Sequence, residues 1–140
     1  MLTIRRLDLN DARILLQGAR ARAAEIGVPM CIAITDESGQ LIAFERMDGG
    51  KVTSATIAID KAFTAAAAKK ATHEYGESSQ PGAPAYGIAS AIQGRLMVVG
   101  GGLPVIVAAE VVGGIGVSSG TPAQDRDVAQ AGIDAFLATL

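Results

Sequence analysis

Apolar residues recur at helical spacing near the start of the chain. Ala12, Leu15, Leu16, Ala19, Ala23 and Ile26 fall at i, i+3, i+4, i+7, i+11 and i+14, one face of an amphipathic helix. Asp8 is positioned to cap it, with Asp11 three residues on, and Gly27 followed by Pro29 ends it. The pattern then changes to short apolar runs. Met30–Thr35 and Leu41–Arg46 read as two strands around Asp36-Glu-Ser-Gly39, where Gly39 suits a left-handed position in a hairpin loop. Both runs are largely apolar, which predicts cover on both faces. Ala55, Ala58, Ile59, Ala62, Ala65 and Ala66 form the stripe of a second helix, predicted from Thr53 to Thr72. His73–Ser90 has no periodicity and holds several Gly, Ser and Pro residues, as a functional loop or mobile segment does. Strands are predicted near Leu96–Val99, Pro104–Ala108 and Val111–Ser118. A last helix runs from Pro122 to about Ala138 and buries Ala129, Ile133, Phe136, Leu137 and Leu140. Thr121-Pro-Ala-Gln124 opens it as a capping box with Pro122 in the first turn, and Asp125 and Asp127 follow where the helix dipole favours anions. The order is α-β-β-α-β-β-β-α, and the short links between strands imply antiparallel pairing.

Composition narrows the picture. A chain of 140 residues is one domain, 1–140. Apolar residues make up 49% and charged residues 19%, so a globular core is expected. Aromatics are only 4%, and Ala and Gly dominate, so elements pack with their backbones close together. Apolar surface left over by such a chain is expected to be buried in a homo-oligomer. The net charge of −2, without a basic run, argues against a nucleic-acid partner. The single cysteine, Cys31, rules out an intrachain disulfide and reads as a small buried hydrophobe. The first residues lack the layout of a signal peptide. No apolar run approaches the roughly 20 residues of a membrane span, so a cytoplasmic protein without membrane contact is expected.

Two phosphate-binding patterns fail on spacing. Gly114-x-Gly116 lies between a strand and a helix, but position 119 is Ser, and too little chain follows for a βαβ unit. Gly50-Lys51 precedes a helix, but position 45 is Glu instead of the first glycine of a phosphate loop. What survives is a helix start beside Lys51 and Arg46 that suits an anion, with Asp48 placed to fix Arg46 or face a ligand. His73 is the only histidine, so a His-rich zinc site is impossible. His73-Glu74-x-x-Glu77 would put His73 and Glu77 on one face if that turn is helical. His73, Glu74 and Glu77 are the one candidate set for a divalent metal, and no dedicated metal site is expected.

Arg46-Met-Asp-Gly-Gly50, Ser54, Lys61-Ala-Phe-Thr64-Ala65, then GGLP from Gly101, GGIGVSSG from Gly113 and an acidic helix containing AQAG occur in that order. Together they resemble the GlcG/HbpS family, which includes haem-binding proteins and the C-terminal domain of PduO-type proteins. The resemblance covers nearly the whole chain. It implies an α+β, profilin-like fold, a five-stranded antiparallel sheet flanked by three helices, in a dimer-based or octameric assembly. It also implies haem or a related tetrapyrrole as the ligand. Iron then needs an axial ligand, for which His73 comes first, with Tyr75, Tyr86, Met47 and Met97 behind it. The other reading is a cofactor-independent isomerase, hydrolase or deaminase acting on a small organic acid. Arg46 or Lys51 would hold the carboxylate, and His73, Asp48, Glu74 or Glu77 would supply acid or base. For either, the expected ligand residues are Arg46, Asp48, Lys51, Lys61, His73, Gly102, Pro104 and Gly116. The ligand is expected between the Arg46–Lys51 loop, the helix start after it, and the glycine segments Gly100–Pro104 and Gly114–Gly120. His73–Gly87 would act as its cover.

Overall fold

The computed structural model describes residues 1–140. Helix α1 spans Leu9–Ile26. Asp8 and Asp11 cap it reciprocally, each carboxylate accepting the other residue's backbone N–H, and Gly27 ends it at φ 71°. Strands β1 (Cys31–Asp36) and β2 (Leu41–Arg46) form the expected hairpin. Helix α2 covers Ser54–Ala67 and α3 covers Thr72–Ser78. Two short 3-10 turns, Ile88–Ser90 and Ile92–Gly94, lead into β3 (Gly102–Val107) and β4 (Glu110–Ser118). Helix α4, Pro122–Leu137, closes the chain behind the Thr121–Gln124 capping box.

The four strands form one antiparallel sheet in the order β2-β1-β4-β3. Helix α2 packs on one face, and α1 and α4 pack together on the other. The main core lies under α1 and α4, where Leu15, Ile32, Ile34, Val105, Ile115, Val117 and Val128 are fully buried. Small residues set both packing distances. A Cβ at Gly18 would stand 2.6 Å from the Ala135 Cβ, and one at Gly132 would stand 2.6 Å from the Leu15 carbonyl oxygen, so α1 and α4 meet backbone to backbone. On the other face, a Cβ at Gly114 would stand 2.5 Å from the Ala62 carbonyl oxygen, and one at Gly116 would overlap that of Ala58. Glycine in a strand is weakening by itself; here it admits α2 directly onto β4.

The α+β class and the antiparallel sheet are as expected, but there are four strands instead of five and four α-helices instead of three. Leu96–Val99 is not a strand. Its neighbour is a helix side chain: Thr64 Oγ1 donates to the Arg95 carbonyl at 3.1 Å and accepts from Met97 N at 3.0 Å. The predicted helix Thr53–Thr72 breaks after Ala67, where Lys69 turns left-handed at φ 55°. The chain then enters α3, inside the stretch expected to be irregular. Cover on both faces is realised for β1, every residue of which is buried, but not for β2, a half-exposed edge strand.

The β1–β2 turn rests on one carboxylate. Asp36 Oδ1 accepts Ser38 N at 2.9 Å, Ser38 Oγ at 2.7 Å and Gln40 N at 3.0 Å. Burial pushes its pKa up, but the bonds from Ser38 and Gln40 and the charge of Arg6 outweigh this and hold it below the usual carboxylate range. A depressed folded pKa stabilises above the unfolded value and is lost as pH falls through the folded one. Asp36→Ala should therefore cost about 1–3 kcal/mol at neutral pH. Urea melts should show the gap from wild type closing as pH falls below about 4.

Candidate functional site

The sole histidine stands at the start of α3, and the sequence around it decides how it is held. Thr72 is fully buried; its Oγ1 accepts Gly102 N at 2.9 Å, which ties the helix start to the edge strand β3. One turn on, Gly76 lies so close to Val98 that a Cβ there would overlap the Val98 carbonyl oxygen. At Gly100 a Cβ would be 3.4 Å from the His73 Cβ and 3.4 Å from the Pro122 carbonyl oxygen. Helix α3 thus lies flat on the 98–102 segment, with His73 wedged near the start of α4.

A cavity of about 410 Å³ opens there, lined by His73, Gly76, Glu77, Gln80, Val98, Val99, Gly100 and Pro122. His73 is half-buried, and its Nδ1 is buried without a hydrogen-bond partner. Such an atom is costly to leave unpaired. His73 and Glu77 share one face of α3, as their spacing suggests. Glu74 points elsewhere and is exposed, and the three residues do not form a metal-binding group. None of Tyr75, Tyr86, Met47 or Met97 lines the cavity. Tyr75 lies under the Lys70 ammonium, 5.0 Å from the ring centre, and the Met47 sulfur accepts Met30 N at 3.4 Å.

The other expected ligand residues fall into two groups. Arg46, Asp48 and Lys51 are exposed, make no ion pair and do not line the His73 cavity. Their loop packs against the start of β1 and the end of β4: Lys51 N donates to Ser119 Oγ at 3.0 Å, and Cys31 Sγ lies 3.7 Å from the Lys51 carbonyl oxygen. Burial pushes the Cys31 thiol pKa up, with Arg46 opposing it, so Cys31 is an inert buried thiol. Lys61, Gly102 and Gly116 lie in the interior. Lys61 is 1% exposed and donates to the Val117 carbonyl at 2.9 Å and to Asp125 Oδ2 at 3.0 Å. Burial pushes its pKa down, against the opposing charge of Asp125. Gly102 and Gly116 are filled by α2, a Cβ at Gly102 standing 2.5 Å from the Lys61 carbonyl oxygen. Pro104 is half-buried on β3, an edge strand, where proline is tolerated.

The model of the family described as haem degrading protein HbpS-like matches residues 7–134. The chain belongs to the HbpS-like family. A 15.0 kDa protein of Citrobacter freundii, described as uncharacterized and encoded between dhaT and dhaS, is 41% identical over 130 residues, 93% of this chain and 92% of its own length. The crystal structure of Klebsiella pneumoniae protein ORFY superposes with a TM-score of 0.96 at 36% identity, covering 99% of this chain and 95% of that one. A crystal structure described as a PduOC:heme complex superposes with a TM-score of 0.89 at 38% identity, covering 93% of this chain and 94% of that one.

For this HbpS-like chain, Gly100 lies in a glycine segment, and Gln80 in the cover, between which sequence reasoning expected the ligand, whereas Val98, Val99 and Pro122 are cavity residues that it did not single out. His73, Glu77 and Gln80 stand at i, i+4 and i+7, visible once α3 is read as a helix. Val98, Val99 and Pro122 come from distant segments. Because the Gly76–Val98 approach holds α3 down, Gly76→Ala should lower the melting temperature and raise amide exchange across Val98–Gly102. A variant that melts and exchanges like wild type would show that α3 has room to spare.

Proposed function

We propose that this chain binds haem or a related tetrapyrrole through His73, in the groove between α3 and the 98–100 segment. The observation that carries this reading is the only imidazole of the chain, half-buried at the wall of a groove of about 410 Å³. The fit to haem is chemical. Imidazole is a common axial ligand of haem iron, which supplies the redox and ligand chemistry when bound. Val98, Val99 and Pro122 offer apolar contact to a flat ring. The PduOC relative described in complex with heme, 38% identical, supports the same ligand class.

The chain's own residues would hold His73 by its neighbour Thr72, shield one side of the ring with apolar groups, and place Glu77 one turn away. No Lys or Arg lines the groove, so its walls offer no ion pair to a carboxylate. The same holds for a haem propionate, so the lack of a cation does not separate the haem reading from the alternative of a cofactor-independent isomerase, hydrolase or deaminase for small organic acids; the imidazole and the apolar wall favour haem.

Titration with haemin should give a shifted Soret band that saturates. His73→Ala, checked for a wild-type circular dichroism spectrum, should lose the shift. A wild-type protein that leaves the haemin spectrum unchanged would overturn the reading and favour the organic-acid enzyme.

The same reading includes a homo-oligomer, dimer-based or octameric. It is supported by the exposed apolar side chains between α3 and Gly100: Tyr86 is 70% exposed, Ile92 56% and Val99 43%. Light scattering at micromolar concentration should return a multiple of 14.2 kDa; a monomer would exclude it.

A further inference from the structure

Lys61 and Asp125 form the one ion pair of this chain that is withdrawn from water, with side chains 2% and 3% exposed. Burying such a pair is expensive, and apolar residues of the same volume often stabilise as well or better, so its presence calls for a reason other than stability. Neither residue lines one of the surface cavities. Its geometry is directed elsewhere. Asp125 Oδ1 accepts Gly120 N at 2.9 Å while Oδ2 accepts Lys61 Nζ, and Nζ also donates to the Val117 carbonyl. Four segments are joined by these bonds: α2, the end of β4, the turn at Gly120 and the first turn of α4.

Above this junction lies a single layer of backbone, Gly100–Gly102. Gly101 O accepts Val117 N at 2.9 Å. A Cβ at Gly101 would stand 2.8 Å from Lys61 Nζ and 2.8 Å from the Asp125 Cβ, and the residue adopts φ 127°, so only glycine fits between the pair and the outside. The other side of the layer carries the histidine: Gly100 meets the His73 Cβ, and Gly102 N is held by Thr72. A shift of Nζ or of the Asp125 carboxylate has no side chain to absorb it before it reaches α3.

We propose that Lys61 and Asp125 are positioning residues of the groove: through the triple-glycine layer they set the height and orientation of His73. This rests on the haem reading for its ligand readout, but it makes a separate claim about the free chain. Ligand-supporting residues outside the direct contacts of a metal commonly change affinity by about 10- to 100-fold.

The test compares wild type with Lys61→Met/Asp125→Leu, which removes both charges and leaves no buried charge unpaired. Because His73 is the only histidine, its ring protons give a single unambiguous set of nuclear magnetic resonance signals. In the free double variant these signals should shift, the His73 titration should move, and amide exchange at Gly100–Gly102 should rise, while the circular dichroism spectrum stays that of wild type. Haemin affinity should fall about tenfold. A folded double variant with unchanged His73 signals, titration and Gly100–Gly102 exchange would overturn the proposal, whatever its haemin affinity. If wild type binds no haemin while the His73 signals still respond to the double substitution, the haem reading fails and the positioning role stands. Should the double variant not fold, Asp125→Asn, which keeps the volume and one acceptor oxygen, replaces it in the same comparison. There, unchanged His73 signals and exchange overturn the proposal in the same way.

Discussion

Helix α2 lies on bare backbone, and the rest of the molecule is arranged around that contact. The carbonyl oxygens of Ala58, Lys61 and Ala62 sit where side chains of Gly116, Gly102 and Gly114 would otherwise stand. So close an approach leaves room for the alanine stripe of α2 and little else on that face. It also brings the Lys61 stem through to the far end of β4, where its ammonium finds Val117 and Asp125. The larger apolar side chains are displaced to the opposite face, under α1 and α4. The molecule therefore has a thin side and a thick side. The histidine groove lies at the end of the thin side, where α3 continues the chain after α2.

The thin side also explains why a charge is buried at all. A lysine on the inner face of α2 cannot reach solvent past the glycine layer, and burial alone would favour its neutral form. A backbone carbonyl and a carboxylate offset that cost, and the carboxylate is in turn held by Gly120 N. Asp125 thus has two uses in one position: it sits where the dipole of α4 favours an anion, and it completes the lysine's environment.

Elements with their own stop signals were legible in the sequence. α1 has Asp8, Asp11 and Gly27; α4 has Thr121, Pro122 and Gln124; the β1–β2 hairpin has Asp36 and Gly39. Each sets its boundary through bonds made within a few residues. The break between α2 and α3 was not legible, because the left-handed residue is Lys69, where a glycine would have announced it. The fifth strand failed because Leu96–Val99 has strand-like composition while its bonding partner, Thr64, comes from a helix. Lys61 shows the limit for sites: it was expected as a ligand residue, and nothing local in the sequence says that its ammonium faces inward to Val117 and Asp125. The groove walls were hidden for a similar reason, since α3, the 98–100 segment and Pro122 meet only in three dimensions.

An open edge strand invites pairing from another chain, and β3 is such an edge. Gly102 and Pro104 occupy alternate positions on it, both opposite glycines of β4. The N–H of Gly102 is already taken by Thr72, and Pro104 has none to offer. A stray strand approaching this edge meets two successive places without a free donor. The threonine that seats the histidine helix therefore has a second effect: together with the proline, it blunts one of the two sheet edges from which fibrous growth could start.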